Sequence, residues 1–176
     1  MKKAIFLDRD GIINVDNGYI FKIKDFKFIS GIIDELKKIQ KLGYIFFIIT
    51  NQSGIARGYF SEEDFFKLNN YMLKEFSKNE IIIEKVSFCP HYSKGLIKKY
   101  SIDCRCRKPN IGMFEDILSK YNIDIKNSYM VGDKESDILA GSKVGLNTIL
   151  ISNNKIKTIA NYNFSNFNQI FKVINK

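Results

Sequence analysis

The sequence predicts an α/β protein, a Rossmann-like three-layer sandwich in which helices cover both faces of a central parallel sheet. Two observations predict this class. Strand-like and helix-like segments alternate along most of the chain, as they do where helical crossovers build a parallel sheet. Residues 44–50 also form an uninterrupted apolar run, which is typical of a strand covered on both faces.

Apolar periodicity and capping residues place the individual elements. The predicted strands are residues 3–7, 44–50, 86–89, 129–131 and 148–151. The predicted helices are residues 31–42, 61–77, 110–121 and 137–144, with a weaker helix over 165–173 in the tail from Lys155. Gly43 follows the first helix as a C-terminal cap, and Ser61 with three acids after it indicates the start of the second. Residues 90–109 show little periodicity, and so long a loop usually carries a function or an internal staple.

The bulk composition is that of a globular protein with a basic balance. The 176 residues suit a single domain, residues 1–176, and the formal net charge of +9 favours anionic partners such as phosphorylated metabolites. No basic run indicates a nucleic-acid partner, and no apolar run approaches the roughly 20 residues of a membrane span. Because no secretory signal is recognisable and no surplus amphipathic helix needs a partner, we expect a cytoplasmic monomer.

Polar side chains follow three of the predicted strands at the points where those strands end. Asp8 and Asp10 follow the first strand, residues 50–54 end the second, and residues 132–134 follow strand 129–131. The loop ahead of helix 110–121 adds Arg107 and Lys108. Ligands of doubly wound sheets bind beyond the carboxyl ends of the strands, so these groups are expected to converge on one crevice.

Carboxylates at strand ends suit phosphoryl chemistry at a hard cation such as Mg²⁺. Asp8 could attack phosphorus and form an aspartyl-phosphate, and Asp10 could protonate the leaving oxygen and then activate water. The Thr50 hydroxyl and Lys108 would stabilise charge on the transferred group. On the stretch DRDG alone, a turn or cap role for both aspartates stays open, because Asp-Gly pairs are common in turns. The other strand-end groups favour the catalytic interpretation.

The three cysteines and the one histidine all lie between residues 89 and 106, within a candidate zinc loop of about residues 89–109. They form Cys89-x-His91 and, after 12 intervening residues, Cys104-x-Cys106. Three thiolates and an imidazole form a closed tetrahedral set, which suits a structural Zn²⁺ that would order the loop. A disulfide is a weaker alternative, because three cysteines leave one unpaired and a cytosolic protein is expected. Incidental buried cysteines are a further alternative.

The motifs DRDG, ITNQSG, CRCRKP and GDKESD, in this order, resemble those of the haloacid-dehalogenase-like (HAD) phosphatases. The resemblance implies a Mg-dependent phosphoric monoester hydrolase with Asp8 as nucleophile and Asp10 as acid/base. It also implies that Thr50 and Lys108 stabilise the phosphoryl group. The magnesium ligands would be Asp8, Asp10 through its backbone carbonyl, and Asp133. The chain has no room for the large cap domain of many relatives.

The stretches DNGYI, TNQSGIARG, CPH, CRCRKPNIGM and YMVGDK resemble, more closely, the D-glycero-D-manno-heptose 1,7-bisphosphate 7-phosphatases. These cytoplasmic enzymes act in heptose synthesis for lipopolysaccharide and related glycans, and carry a zinc loop matching the Cys/His set. The resemblance implies removal of the 7-phosphate in ADP- or GDP-heptose synthesis, with Arg107 recognising the second phosphate. The implied substrate contacts are Asp16, Asn17, Gly18, Tyr19, Asn51, Gln52, Ser53, Arg107 and Lys134.

Two alternatives compete with this function. A histidinol-phosphate phosphatase has similar motifs and a similar zinc loop, but Arg107 and Lys134 favour an anionic second group over a cationic amine. A zinc-stapled, non-enzymatic module that binds phosphorylated ligands or RNA belongs to a different class, and it predicts that Asp8→Asn leaves function intact. The role of Asp137, four residues after Asp133 at a helix start, stays open between an acid near Mg²⁺ and a helix N-terminal charge.

Overall fold

A computed structural model of the chain describes residues 1–154 and 157–175 and contains a six-stranded parallel sheet of order β3-β2-β1-β4-β5-β6. The strands are β1 (Ala4–Leu7), β2 (Ile45–Asn51), β3 (Ile83–Cys89), β4 (Tyr129–Gly132), β5 (Asn147–Ile151) and β6 (Tyr162–Phe164). The helices are α1 (Ile32–Lys41), α2 (Ser53–Ala56), α3 (Glu62–Lys78), α4 (Gly112–Leu118), α5 (Glu135–Val144) and α6 (Phe171–Ile174).

Strand β1 lies at the centre of the sheet, and its side chains alternate between two cores. Ile5 and Leu7 pack with residues of α1, α3 and α6 on one face. Ala4 and Phe6 pack with residues of α4 and α5 on the other. All four residues are fully buried, which explains why the strand reads as a continuous apolar run. The predicted three-layer sandwich is confirmed.

The register brings three strand ends to the same edge of the sheet. Leu7 lies beside Ile48 of β2 and Val131 of β4, and the Asp8 amide still donates to the Val131 carbonyl at 2.9 Å. The chain therefore leaves the sheet at Asp8, next to the ends of β2 and β4. The segment from there to α1 contains one short 3₁₀ turn, Ile23–Asp25, and the described residues form no separate cap over this edge.

The predicted helix signals are confirmed at α1 and α3. Gly43 adopts a left-handed conformation (φ 83°) and follows the end of α1. Ser61 and Asp64 cap α3 reciprocally, because each side chain accepts a hydrogen bond from the other residue's backbone amide. No helix among the described residues has the length and apolar character needed to cross a membrane.

Other boundaries differ from the prediction. Strand β3 starts at Ile83 rather than Val86, because it lies at the sheet edge, where Glu84 and Lys85 keep their polar groups near solvent. Strand β6 was not predicted, since its three residues are too few for a strand pattern to be recognised. The predicted helix 165–173 is a 3₁₀ turn followed by the four-residue α6. Residue 155 of the predicted tail and residue 176 of the predicted domain lie outside the described residues.

Candidate active site

Asp8 lies at the floor of a cleft beyond the strand ends and is 5% exposed. The Lys108 ammonium donates to its Oδ1 atom at 2.9 Å. Burial raises the pKa of Asp8 to about 7; Lys108 opposes this shift, whereas the carboxylates of Asp137, Asp133 and Asp10 add to it. Without a metal ion, the Asp8 carboxyl group is therefore a mixture of its neutral and ionised forms near neutral pH.

Lys108 crosses from the loop before α4 into the floor of the cleft, where its side chain is almost fully buried. Its Nζ atom contacts Asp8, lies 2.6 Å from Asp137 Oδ1, and donates to the Ile49 carbonyl at 2.7 Å. Burial lowers the pKa of Lys108, but the two carboxylates outweigh that effect and raise it above its usual range. Asp137, whose role the sequence left open, thus helps to hold a charged lysine beside Asp8.

The Asp10 carboxylate is oriented by Arg9 and Asn14, which sequence reasoning did not single out, and by Gln52, which it named as a substrate contact. Arg9, itself buried, lies 2.9 Å from Asp10 Oδ1, and Asn14 donates to the same atom at 3.0 Å. Gln52 Nε2 donates to Asp10 Oδ2 at 2.9 Å and to the Thr50 hydroxyl at 2.8 Å. The signal for Arg9 was present in the sequence, because it stands between the two aspartates directly after a buried strand.

Asp8 belongs to a group of three carboxylates. Oxygens of Asp8, Asp133 and Asp137 lie within 4.8 Å of one another. The Asp10 carboxylate is not in this group, since it faces Arg9, Asn14 and Gln52, so the implied ligand role of Asp10 is left to its backbone carbonyl.

This group fits a hard cation on two further observations. Asp133 Oδ1 is buried without a hydrogen-bond partner among the described residues. Gly11 has φ 89°, and a Cβ atom there would lie 2.4 Å from Asp133 Oδ2, so only glycine leaves this carboxylate its place. Oxygen-only donors of this kind suit Mg²⁺.

The four zinc-candidate residues are brought together as predicted. The Cys89 sulfur lies 3.1 Å from that of Cys106 and 3.5 Å from that of Cys104, and His91 Nδ1 lies 3.3 Å from the Cys106 sulfur. These separations exceed the ~2.05 Å of a disulfide. They approach the ~3.8 Å expected between two thiolates on a tetrahedral zinc with ~2.3 Å bonds. The donor set fits zinc, and the three cysteines are free rather than disulfide-bonded.

The cleft has a volume of about 350 Å³, and most of the predicted substrate-contact residues line it. These are Asp16, Gly18, Tyr19, Asn51, Gln52, Ser53, Arg107 and Lys134. Asn17 instead lines a neighbouring hollow with Lys22 and Lys24, and the catalytic candidate Thr50 is buried and is not among the residues that line the cleft. Ser136 lines the cleft without having been predicted. Lys134 Nζ lies 3.3 Å from Asp16 and 3.4 Å from Asp133, linking the rim to the metal-candidate acids.

The fold and this arrangement of groups define a HAD-like phosphatase. Residues 105–164 match the family model described as HAD-hydrolase-like. A D-glycero-alpha-D-manno-heptose-1,7-bisphosphate 7-phosphatase of Campylobacter jejuni is 46% identical over 155 residues, covering 88% of this chain and 85% of that protein. A D-glycero-beta-D-manno-heptose-1,7-bisphosphate 7-phosphatase of Haemophilus influenzae is 46% identical over 152 residues, covering 85% and 82%.

A solved structure shares the fold. The D,D-heptose 1,7-bisphosphate phosphatase of B. bronchiseptica, complexed with magnesium and phosphate, has a TM-score of 0.83 at 23% identity, covering 98% of this chain and 97% of that one. On the identity and coverage of the curated relatives, the chain belongs to the family of D-glycero-D-manno-heptose-1,7-bisphosphate 7-phosphatases.

Proposed function

We propose that the enzyme removes the 7-phosphate of D-glycero-D-manno-heptose 1,7-bisphosphate and releases the heptose 1-phosphate, for ADP- or GDP-heptose synthesis. One observation carries the proposal. The cleft has a buried cation, Lys108, against Asp8 at its floor and a separate cation, Arg107, at its edge. A substrate with one phosphate at the floor and a second phosphate at the rim matches these two positions.

In the proposed mechanism, an Asp8 oxygen attacks phosphorus while the bond between phosphorus and the C7 oxygen breaks. Asp10 gives its proton to that leaving oxygen, and an aspartyl-phosphate remains on Asp8. Asp10 then takes a proton from a water that attacks phosphorus, which frees Asp8 and inorganic phosphate. The contacts of Asp10 with Arg9, Asn14 and Gln52 fix its carboxylate for both steps.

Lys108 and Thr50 would hold the phosphoryl oxygens. Lys108 keeps its charge because two carboxylates face it and raise its pKa. The Thr50 hydroxyl oxygen accepts a hydrogen bond from Gln52. The hydroxyl proton of Thr50 is therefore left to be donated to a phosphate oxygen. Asp8, Asp133 and the Asp10 carbonyl would hold a magnesium ion, which supplies positive charge against the phosphate oxygens when bound.

The Cys/His set would hold a structural zinc. All four ligand positions are filled by Cys89, His91, Cys104 and Cys106, so no open position is left for substrate or water. The proposed zinc fixes the loop that ends in Arg107 and Lys108, and so serves the cleft indirectly. We also propose a single-domain, monomeric enzyme of the cytoplasm that acts on a small molecule without nucleic-acid or membrane partners; size-exclusion chromatography tests the monomer.

Phosphate release with Mg²⁺ tests the function. The substrates are the α- and β-anomers of the heptose bisphosphate, fructose 1,6-bisphosphate and histidinol phosphate, because similar relatives are named for either anomer. We expect the highest kcat/KM for one heptose anomer, no turnover by Asp8→Asn, and normal turnover by Asp34→Asn, an exposed carboxylate on α1. Preference for histidinol phosphate would refute the role of Arg107.

A further inference from the structure

Tyr92, which follows the zinc-candidate His91, is in contact with two arginine side chains. The Arg57 guanidinium carbon is 4.1 Å from the centre of the Tyr92 ring, and that of Arg107 is 5.4 Å away. Neither guanidinium forms an ion pair with a carboxylate of a described residue. Arg57 Nε is buried and has no hydrogen-bond partner within residues 1–154 and 157–175, while the guanidinium stacks on the Tyr92 ring.

Arg57 lies in a segment that joins the cleft to the Cys/His loop. It directly follows α2, whose first residues line the cleft. The Ala56 carbonyl accepts hydrogen bonds from the Leu96 and Ile97 amides, at 2.7 and 2.9 Å. A Cβ atom on Gly95 would lie 2.6 Å from the same carbonyl, so the two segments meet closely. The position of Arg57 is therefore tied to the loop that carries Tyr92.

Arg107 is the member of this group that faces the cleft. It directly follows the zinc-candidate Cys106, and its Nη1 atom donates to the His91 carbonyl at 3.2 Å. One hydrogen bond leaves a guanidinium free to rotate about that contact. The Tyr92 ring supplies a second contact that limits the rotation, and Arg57 packs on the same ring.

We propose that Arg57 and Tyr92 are positioning residues for Arg107, and that this stack determines the preference for a substrate with a second anionic group. The inference rests on the proposed function, in which Arg107 meets the second phosphate. Two guanidinium groups that contact one ring, and that have no carboxylate partner among the described residues, repel each other, and an anion at the cleft edge relieves that repulsion. A substrate without the second phosphate gains nothing from the stack.

The test is the ratio of kcat/KM for the heptose 1,7-bisphosphate to kcat/KM for the heptose 7-phosphate that lacks the second phosphate. We expect Arg57→Gln, Arg57→Lys and Tyr92→Leu each to lower this ratio about fivefold, through KM of the bisphosphate, because one stacking contact is lost. Tyr92→Phe keeps an aromatic ring at this position, so we expect this variant to have the same ratio as wild type. Arg105→Gln is the matched control, since Arg105 is an exposed arginine of the same loop that pairs with Glu115.

Zinc content and melting temperature of each variant show whether the loop is intact. An unchanged ratio in Arg57→Gln and Tyr92→Leu with normal zinc content overturns the proposal, and so does a parallel loss for both substrates. A wild-type ratio near one would refute the proposed function itself, before any variant is compared.

Discussion

In the magnesium-free protein, the stability of the Asp8→Asn variant relative to wild type should increase as the pH rises. Burial raises the pKa of Asp8 from 3.8 to about 7. A carboxyl whose pKa is higher in the folded than in the unfolded state adds stability below pH ~4, and this contribution is lost as pH rises through about 7. Ionised Asp8 therefore destabilises the folded chain at neutral pH.

The magnitude follows from the pKa difference. Each pKa unit corresponds to about 1.36 kcal/mol, so wild type should lose up to about 1.4 kcal/mol of stability per pH unit between these limits through Asp8. The asparagine side chain of the variant is neutral at every pH and keeps the volume of the aspartate that it replaces. The stability of Asp8→Asn relative to wild type should thus be about 2–3 kcal/mol greater at pH ~7.5 than at pH ~5.

Urea unfolding of both proteins over this pH range, with zinc retained and magnesium omitted, measures the difference. Comparing the two proteins removes the contributions of other titrating groups. Saturating Mg²⁺ should erase or reverse the difference, because the ion binds the ionised carboxylate of the folded wild type. A difference that does not change with pH would refute the argument from desolvation.

Three further predictions concern the groups around Asp8. Gly11→Ala should raise the Mg²⁺ concentration needed for half-maximal activity at least about tenfold, because its Cβ would meet the Asp133 carboxylate; unchanged Mg²⁺ titrations would contradict this. Asp137→Asn should lower the free energy of unfolding by about 3 kcal/mol, since it leaves buried Lys108 with one carboxylate partner; urea unfolding measures this, and a loss below ~0.5 kcal/mol would exclude the ion pair. Removal of zinc by a chelator should expose residues 89–109 to proteolysis and abolish activity until zinc is returned, and a loop that stays resistant without metal would show that zinc does not order it.

The motifs did not reveal those contacts of the site that join residues far apart in the sequence. The sequence singled out Lys108 in the loop ahead of a helix and Asp137 at a helix start, yet their ion pair depends on how α5 and the loop before α4 meet beneath the cleft. Arg9 orients Asp10 together with Gln52, which lies 43 residues further along the chain than Arg9. No local pattern encodes such a contact.

The sequence by itself determined the alternating elements, the strand ends that carry Asp8 and Lys134, and the cysteine and histidine set of the loop. Periodicity, capping and residue chemistry are local properties, so they can be read along the chain. Only the tertiary structure decided that the Asp10 carboxylate turns away from the metal-candidate acids, that Asp137 holds Lys108, and that Tyr92 contacts two arginines. These arrangements depend on which segments pack together, and packing is a property of the whole folded chain.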